Sequence, residues 1–246
     1  MDTKYLYVMG SGSGAGKSTI CLGILAQLLA SGFPARQLAY IKPVTQCTAP
    51  QPVALFCKNA GILYRDIGSL VFRNGFSREF IDGQTPSSKE LMAEVLATIV
   101  HCGAGKSLVL IDGVGDPAVG SVVGVSNVDV AAASSCRVLF VGKPGIGAAI
   151  DNTVLCLAFI RGKDLRDVGL IYNKVPVEQR SEIRNYVTRR IATLLPEATV
   201  FGFLAEEKRL DEFARTHARE RIAQWFSHGV GANALLHDWL GVTPRP

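Results

Sequence analysis

Seven residues in which glycine takes every second place, Gly10-Ser11-Gly12-Ser13-Gly14-Ala15-Gly16, run directly into Lys17-Ser18-Thr19. Such a stretch can hold a phosphate. Without Cβ atoms in the way, successive backbone N–H groups converge on one anion, and a helix starting there adds its partial positive charge. Lys17 would reach the outer phosphates and the Ser18 hydroxyl a divalent cation, with Ser13, Gly14, Ala15, Gly16 and Thr19 completing the cradle. The spacing departs from the common GxxxxGK[ST] form by one, since five residues rather than four separate Gly10 from Gly16. A glycine turn with no ligand is the competing reading, and context weighs against it. An apolar, β-rich run over 4–9 precedes the loop, and Ile20, Ile24, Leu25, Leu28 and Leu29 follow at helical spacing up to Gly32.

Other places carry chemistry too. Asp112 closes the apolar run Leu108-Val-Leu-Ile and precedes Gly113-Val-Gly115-Asp116, so its carboxylate could hold Mg²⁺ directly or through water. A turn-forming Asp before glycine is the bland alternative. Lys42, pinned by Pro43, ends a shorter apolar run; a cation there would face the outermost phosphate, or simply end an exposed strand. Asn173-Lys174 follows another run, and the Asn amide could read a purine edge or shape an ordinary turn. Asp116 is a weaker candidate. Gly103-Ala-Gly-Lys-Ser107 repeats residues 14–18 letter for letter, but it lies after a helix and before a strand. With no helix start behind it, it reads as a helix C-terminal turn and not as a site.

A scaffold must bring these strand ends together. Strands are predicted at 4–9, 38–41, 107–111, 137–141, 168–172 and 199–203. Helices are predicted at 17–30, 53–60, 88–100, 128–134, 148–160 and 178–194, with a last helical stretch at 235–240. Continuous apolar strands separated by helices predict an α/β fold of three layers, a mostly parallel sheet with helices on both faces. Ligands collect at the carboxyl ends of such strands, where all the candidates but the repeated pentapeptide fall. The 246 residues, 48% apolar, predict one domain and exclude disorder over most of the chain. With no apolar run of membrane-spanning length and no signal-peptide profile, the expected chain is soluble, unexported and cytoplasmic. The net charge of +5 is mild, and its excess over 161–190 reads as a solvated helix face rather than a nucleic-acid surface. Six cysteines form no CxxC pair and four histidines lack zinc-type spacing, which predicts reduced, buried thiols and no metal cluster.

Taken in order, these motifs resemble the dethiobiotin synthetase family, including the related domain fused to some phosphotransacetylases. The lengthened loop over 10–18, Lys42-Pro43-Val44, Asp112-Gly113-Val114-Gly115 and Asn173 match in sequence order, and 202–205 matches loosely. The resemblance covers about residues 4–210. It implies a P-loop NTPase fold that binds ATP and Mg²⁺ and acts as a carbon–nitrogen cyclo-ligase through a carbamate and a mixed carbamic-phosphoric anhydride. Lys17 and Lys42 would be catalytic, Ser13 to Thr19 and Asn173 would hold the nucleotide, and Ser18 and Asp112 would hold the metal. It further implies adenine recognition at Asn173; Pro176 stands where a guanine-selective Asp would follow Lys174. A homodimer is also implied, and the apolar run 119–125 gives it surface to hide, so residues near 115–128 are expected close to the two-fold axis.

The chain departs from that family where the diamine substrate binds. Ser13-Gly14 stands where the family carries an acidic residue in the loop, and Val53-Ala54-Leu55 where it presents a third metal ligand from an Asp. Residues 72–86 show no counterpart of the family's proline- and histidine-bearing substrate segment. The expectation is therefore a ligase-like protein with an altered or lost substrate site and an unidentified small-molecule acceptor. The alternative is a non-ligase ATPase or regulatory module. A kinase reading would need Asp116 as its base.

Overall fold

The computed structural model describes residues 3–46, 49, 51–216 and 218–242. In chain order the elements are β1 (Lys4–Gly10), α1 (Lys17–Ala30), β2 (Leu38–Ile41), β3 (Val44–Thr45), α2 (Pro52–Ala60), β4 (Leu63–Arg65), β5 (Leu70–Val71), α3 (Phe76–Ile81), α4 (Ser88–Gly103), β6 (Leu108–Asp112), α5 (Asn127–Ala133), β7 (Arg137–Gly142), α6 (Gly147–Arg161), β8 (Val168–Tyr172), α7 (Arg180–Leu194), β9 (Thr199–Phe203), α8 (Leu210–Arg215) and α9 (Arg219–Gly229), before a π-helical turn at Ala234–Trp239.

Seven strands form a parallel sheet in the order β4-β2-β6-β1-β7-β8-β9, and β3 pairs with β5 in a separate small sheet. Alternation along each strand divides the core in two. Leu6, Val8, Leu38, Tyr40, Leu108 and Leu110 face one way, onto α1, α2, α8 and α9. Tyr7, Met9, Ala39, Ile41, Val109 and Ile111 face the other, onto α4, α5, α6 and α7. The three-layer α/β expectation therefore holds. Helix α1 is buried on most of its circumference, and Gly23 is what lets α9 approach it. A Cβ at Gly23 would stand 2.4 Å from the Phe226 ring.

Several boundaries differ from expectation for local reasons. Helix α5 starts at Asn127 because Ser126 and Asp129 form a reciprocal capping box, with Asp129 N–H donating to Ser126 Oγ at 3.1 Å. Helix α4 runs on to Gly103, since His101 and Cys102 continue the turn and Cys102 is buried against the sheet. Strand β4 and the β3–β5 pair are too short to show a period in the sequence. The run 119–125 is divided: Gly120, Val123 and Val125 are buried, while Ser121, Val122 and Gly124 are exposed. The run thus supplies both core, through Val123 and Val125, and an exposed apolar side chain, Val122, and the homodimer stays an expectation.

The five described cysteines are free and buried. Burial pushes Cys136 up to about 12 and Cys156 to about 11, as befits inert small hydrophobes. Cys47 and His217 lie outside the described residues. Among the described residues no cluster could hold a metal through His, Cys, Asp and Glu alone, and no helix is long and apolar enough to cross a membrane.

Candidate functional site

β1, flanked by β6 and β7, delivers the glycine loop to the centre of the sheet's carboxyl edge. Gly12, Gly14 and Gly16 all take positive φ, at 146°, 77° and 93°. Those values disfavour any side-chain-bearing residue and let the loop curl over the helix start. Gly16 is the N-cap of α1 and offers no side-chain cap, so the first-turn N–H groups keep no competing acceptor from that residue. Ser13, Gly14, Gly16, Lys17, Ser18 and Thr19 line a cavity of about 430 Å³. The Ala15 side chain instead turns into the core, which leaves that residue its backbone as a contact.

Lys17 folds back over the loop. Its ammonium donates to the Gly115 carbonyl at 2.8 Å and the Gly12 carbonyl at 3.2 Å. Burial lowers its pKa, with the Asp112 carboxylate opposing that shift and Lys42 adding to it. Carbonyl contacts of this kind hold a cation in place without neutralising it, which suits a residue poised for an anion.

Asp112 is the hub beneath the cavity. Fully buried at the end of β6, it accepts at Oδ2 from Ser18 Oγ (2.5 Å), Tyr40 OH (2.8 Å) and Lys42 Nζ (3.1 Å). Its other oxygen, Oδ1, is buried with no hydrogen-bond partner. A carboxylate oxygen held out of water without a donor is costly, and a divalent cation would satisfy it. Asp112 Oδ1 and the Ser18 hydroxyl thus fit Mg²⁺, which keeps waters for its remaining positions.

The loop after β6 is fixed by a residue that sequence reasoning missed. Asn127 Oδ1 accepts from Val114 N–H at 3.1 Å and Tyr7 OH at 3.0 Å, while its amide donates to the carbonyls of Val114 and Asp116. That clamp sets the Gly115 carbonyl that Lys17 uses. It was hidden because an Asn at a helix start reads as ordinary capping chemistry. Asp116 accepts from Ala118 N–H in its own turn, as a turn-former would.

Asn173, at the end of β8, is 2% exposed and lies behind the loop. Its amide donates to the Ala15 carbonyl at 3.0 Å, and a Cβ at Gly16 would meet its nitrogen at 2.1 Å. It braces the loop. The next residue, Lys174, adopts φ 59° and lines the cavity.

Among the described residues, the cavity wall carries Lys17, Lys42 and Lys174 together with Thr45, Gln46 and Gln51, and no carboxylate. Val53 points into the core instead, 1% exposed. A Val there fills a packing position and adds no carboxylate to the cavity, whose lining between 42 and 51 is Lys42, Thr45, Gln46 and Gln51.

A glycine cradle at a helix start, a lysine over it and a buried Asp beside its Ser define a P-loop nucleotide-binding protein of the α/β class. A family model described as an AAA domain matches residues 4–212, and the chain belongs to that family, which includes domains like dethiobiotin synthetase. No curated protein matches the chain. Among solved structures it is similar to the MinD cell division protein of Aquifex aeolicus, with a TM-score of 0.57 and 15% identity over 91% of this chain and 93% of that one. A variant of McdA from Cyanothece, solved in complex with ATP, gives a TM-score of 0.56 and 13% identity over 99% of this chain and 98% of that one. At such identities the likeness is one of fold.

Proposed function

We propose that this chain binds ATP with Mg²⁺ at the 10–19 loop and works as an ATPase or nucleotide-responsive module, not as a diamine cyclo-ligase. One observation carries this reading: three lysines and no carboxylate on the described cavity wall, above a buried Asp with an unpartnered oxygen. Such a wall attracts a polyphosphate and repels a substrate bearing two ammonium groups. The neighbouring folds of MinD and McdA, described as a cell division protein and as an ATP complex, suit the same reading.

Within this proposal Lys17 and Lys42 face the outer phosphates, and Ser18 with Asp112 holds the metal. The Mg²⁺ would supply charge neutralisation between phosphate oxygens. Asn173, buried behind the loop, would offer an adenine amino group its amide oxygen, while its nitrogen holds the Ala15 carbonyl. The test is direct. The purified chain should show thermal stabilisation by ATP with Mg²⁺, yet form dethiobiotin from diaminopelargonate, bicarbonate and ATP far below ordinary enzymatic rates. Misplacing a nucleophile by about 1 Å can cost on the order of a hundredfold in rate, and here its anchoring carboxylates are missing. Turnover of roughly several per minute or faster would restore the ligase reading.

A further inference from the structure

Three described groups donate to Asp112 Oδ2, and they are not equivalent. Ser18 and Lys42 also line the cavity, so a polyphosphate and its cation offer each of them a partner other than Asp112. Tyr40 has no such alternative. Its side chain is fully buried, on the same sheet face as Leu110, with which it is in register across the β2–β6 pair. Other buried tyrosine hydroxyls of the sheet bind neutral partners: Tyr7 reaches Asn127, and Tyr172 reaches Thr153. Tyr40 spends its hydroxyl on a buried carboxylate at 2.8 Å.

We infer that Tyr40 is a positioning residue for the cation site: its hydroxyl holds Asp112 by Oδ2 throughout the ligand cycle and so keeps Oδ1 as the oxygen available to a divalent cation. The inference rests on the nucleotide reading above. A hydrogen bond to the non-coordinating oxygen fixes the carboxylate's rotation, which a packed phenylalanine ring cannot do. Burial and the Asp112 charge hold the Tyr40 hydroxyl well above the usual phenol range, so it remains a protonated donor at neutral pH.

The experiment is a Mg²⁺ titration of ATP-induced thermal stabilisation in wild type and Tyr40→Phe. The stabilisation by ATP without Mg²⁺ should match between the two. The Mg²⁺ concentration giving half of the metal-dependent increment should rise roughly tenfold in Y40F, the lower end for a lost outer-sphere partner. An unchanged Mg²⁺ midpoint overturns the inference, and so does an equal fall in the metal-free ATP response, which marks a merely structural role. Should Y40F fail to fold, the wild-type Tyr40 hydroxyl proton, followed by NMR, must persist on adding ADP with Mg²⁺; its loss to fast exchange contradicts the proposal. A wild-type chain that answers to no nucleotide removes the phosphate-loop reading itself, an outcome distinct from a failure of Tyr40.

Discussion

Gly-Ala-Gly-Lys-Ser occurs twice, at 14–18 and at 103–107, and the two copies lie at opposite ends of the sheet. In the first, Gly14 and Gly16 take positive φ, Lys17 is buried against two carbonyls, and Ser18 bonds a buried carboxylate. In the second, Gly103 closes α4, Lys106 donates to the Arg36 carbonyl, and Ser107 meets the Gln37 side chain at 3.1 Å. Thr3 caps the second turn with its single hydroxyl proton, which lies within reach of the Lys106 carbonyl at 2.9 Å and the Gly103 carbonyl at 3.1 Å. Five identical residues thus make a cradle or a cap according to what precedes and follows. A strand before and a helix after turn N–H groups outward; a helix before and a strand after present carbonyls.

The comparison breaks most forcefully at the serine partners. Asp112→Ala should destabilise the fold by about 3 kcal/mol, because it removes a fully buried carboxylate that accepts from the largely buried Lys42 and from the Ser18 and Tyr40 hydroxyls. Gln37→Ala, at the matching serine of the second copy, should cost under about 1 kcal/mol. Chemical denaturation of both variants measures the gap, and equal losses would show that Asp112 is ordinary packing.

Glycine substitutions sharpen it next. Gly16→Ala places a methyl 2.1 Å from the Asn173 amide at a positive φ, and Gly103→Ala places one 2.2 Å from the Tyr5 hydroxyl. Both should lose about 1–3 kcal/mol of stability. Only Gly16→Ala should also lose the ATP-induced shift in melting temperature. If Gly103→Ala weakened ATP binding as much, the two loops would be coupled in a way the fold gives no reason for.

A smaller effect is expected at Asn173. Wild type should prefer ATP to GTP by a few-fold, since one amide oxygen limits discrimination. Asn173→Ala should weaken both nucleotides through the lost brace on Ala15 and erase the preference. Calorimetry with both nucleotides would show it; a preference that survives the substitution would place base recognition elsewhere.

The smallest effect is on pH. Burial favours the neutral Lys17 amine in the ligand-free fold, whereas bound phosphates favour the ammonium. ATP affinity should therefore decline as pH rises through the lowered Lys17 pKa, on the alkaline side but below the ordinary 10.5. Over the same interval the ligand-free fold gains stability from this group, because the unfolded chain binds the proton more tightly. A flat alkaline profile of the ATP shift would contradict a buried, loop-held Lys17.

Much of this was legible in the residues. The β1–loop–α1 unit, Lys42 and Asp112 stand at apolar-run ends where a parallel sheet must present ligand-binding groups. The rest was hidden for physical reasons. Tyr40 sits inside Leu-Ala-Tyr-Ile, a run that reads as pure core until its register with β6 sets its hydroxyl beside Asp112. Asn127 works through long-range bonds that no local spacing encodes. Strand β4 is exposed along its three residues and gains its identity from pairing with β2 alone.

The central claim is that residues 14–18 bind a nucleotide and their twin at 103–107 does not. Calorimetric titration of ATP with Mg²⁺ into wild type, Lys17→Ala and Lys106→Ala tests it most directly. One site per chain is expected in wild type and in Lys106→Ala, and no measurable binding in Lys17→Ala. No binding in wild type, or equal binding in Lys17→Ala, would contradict it.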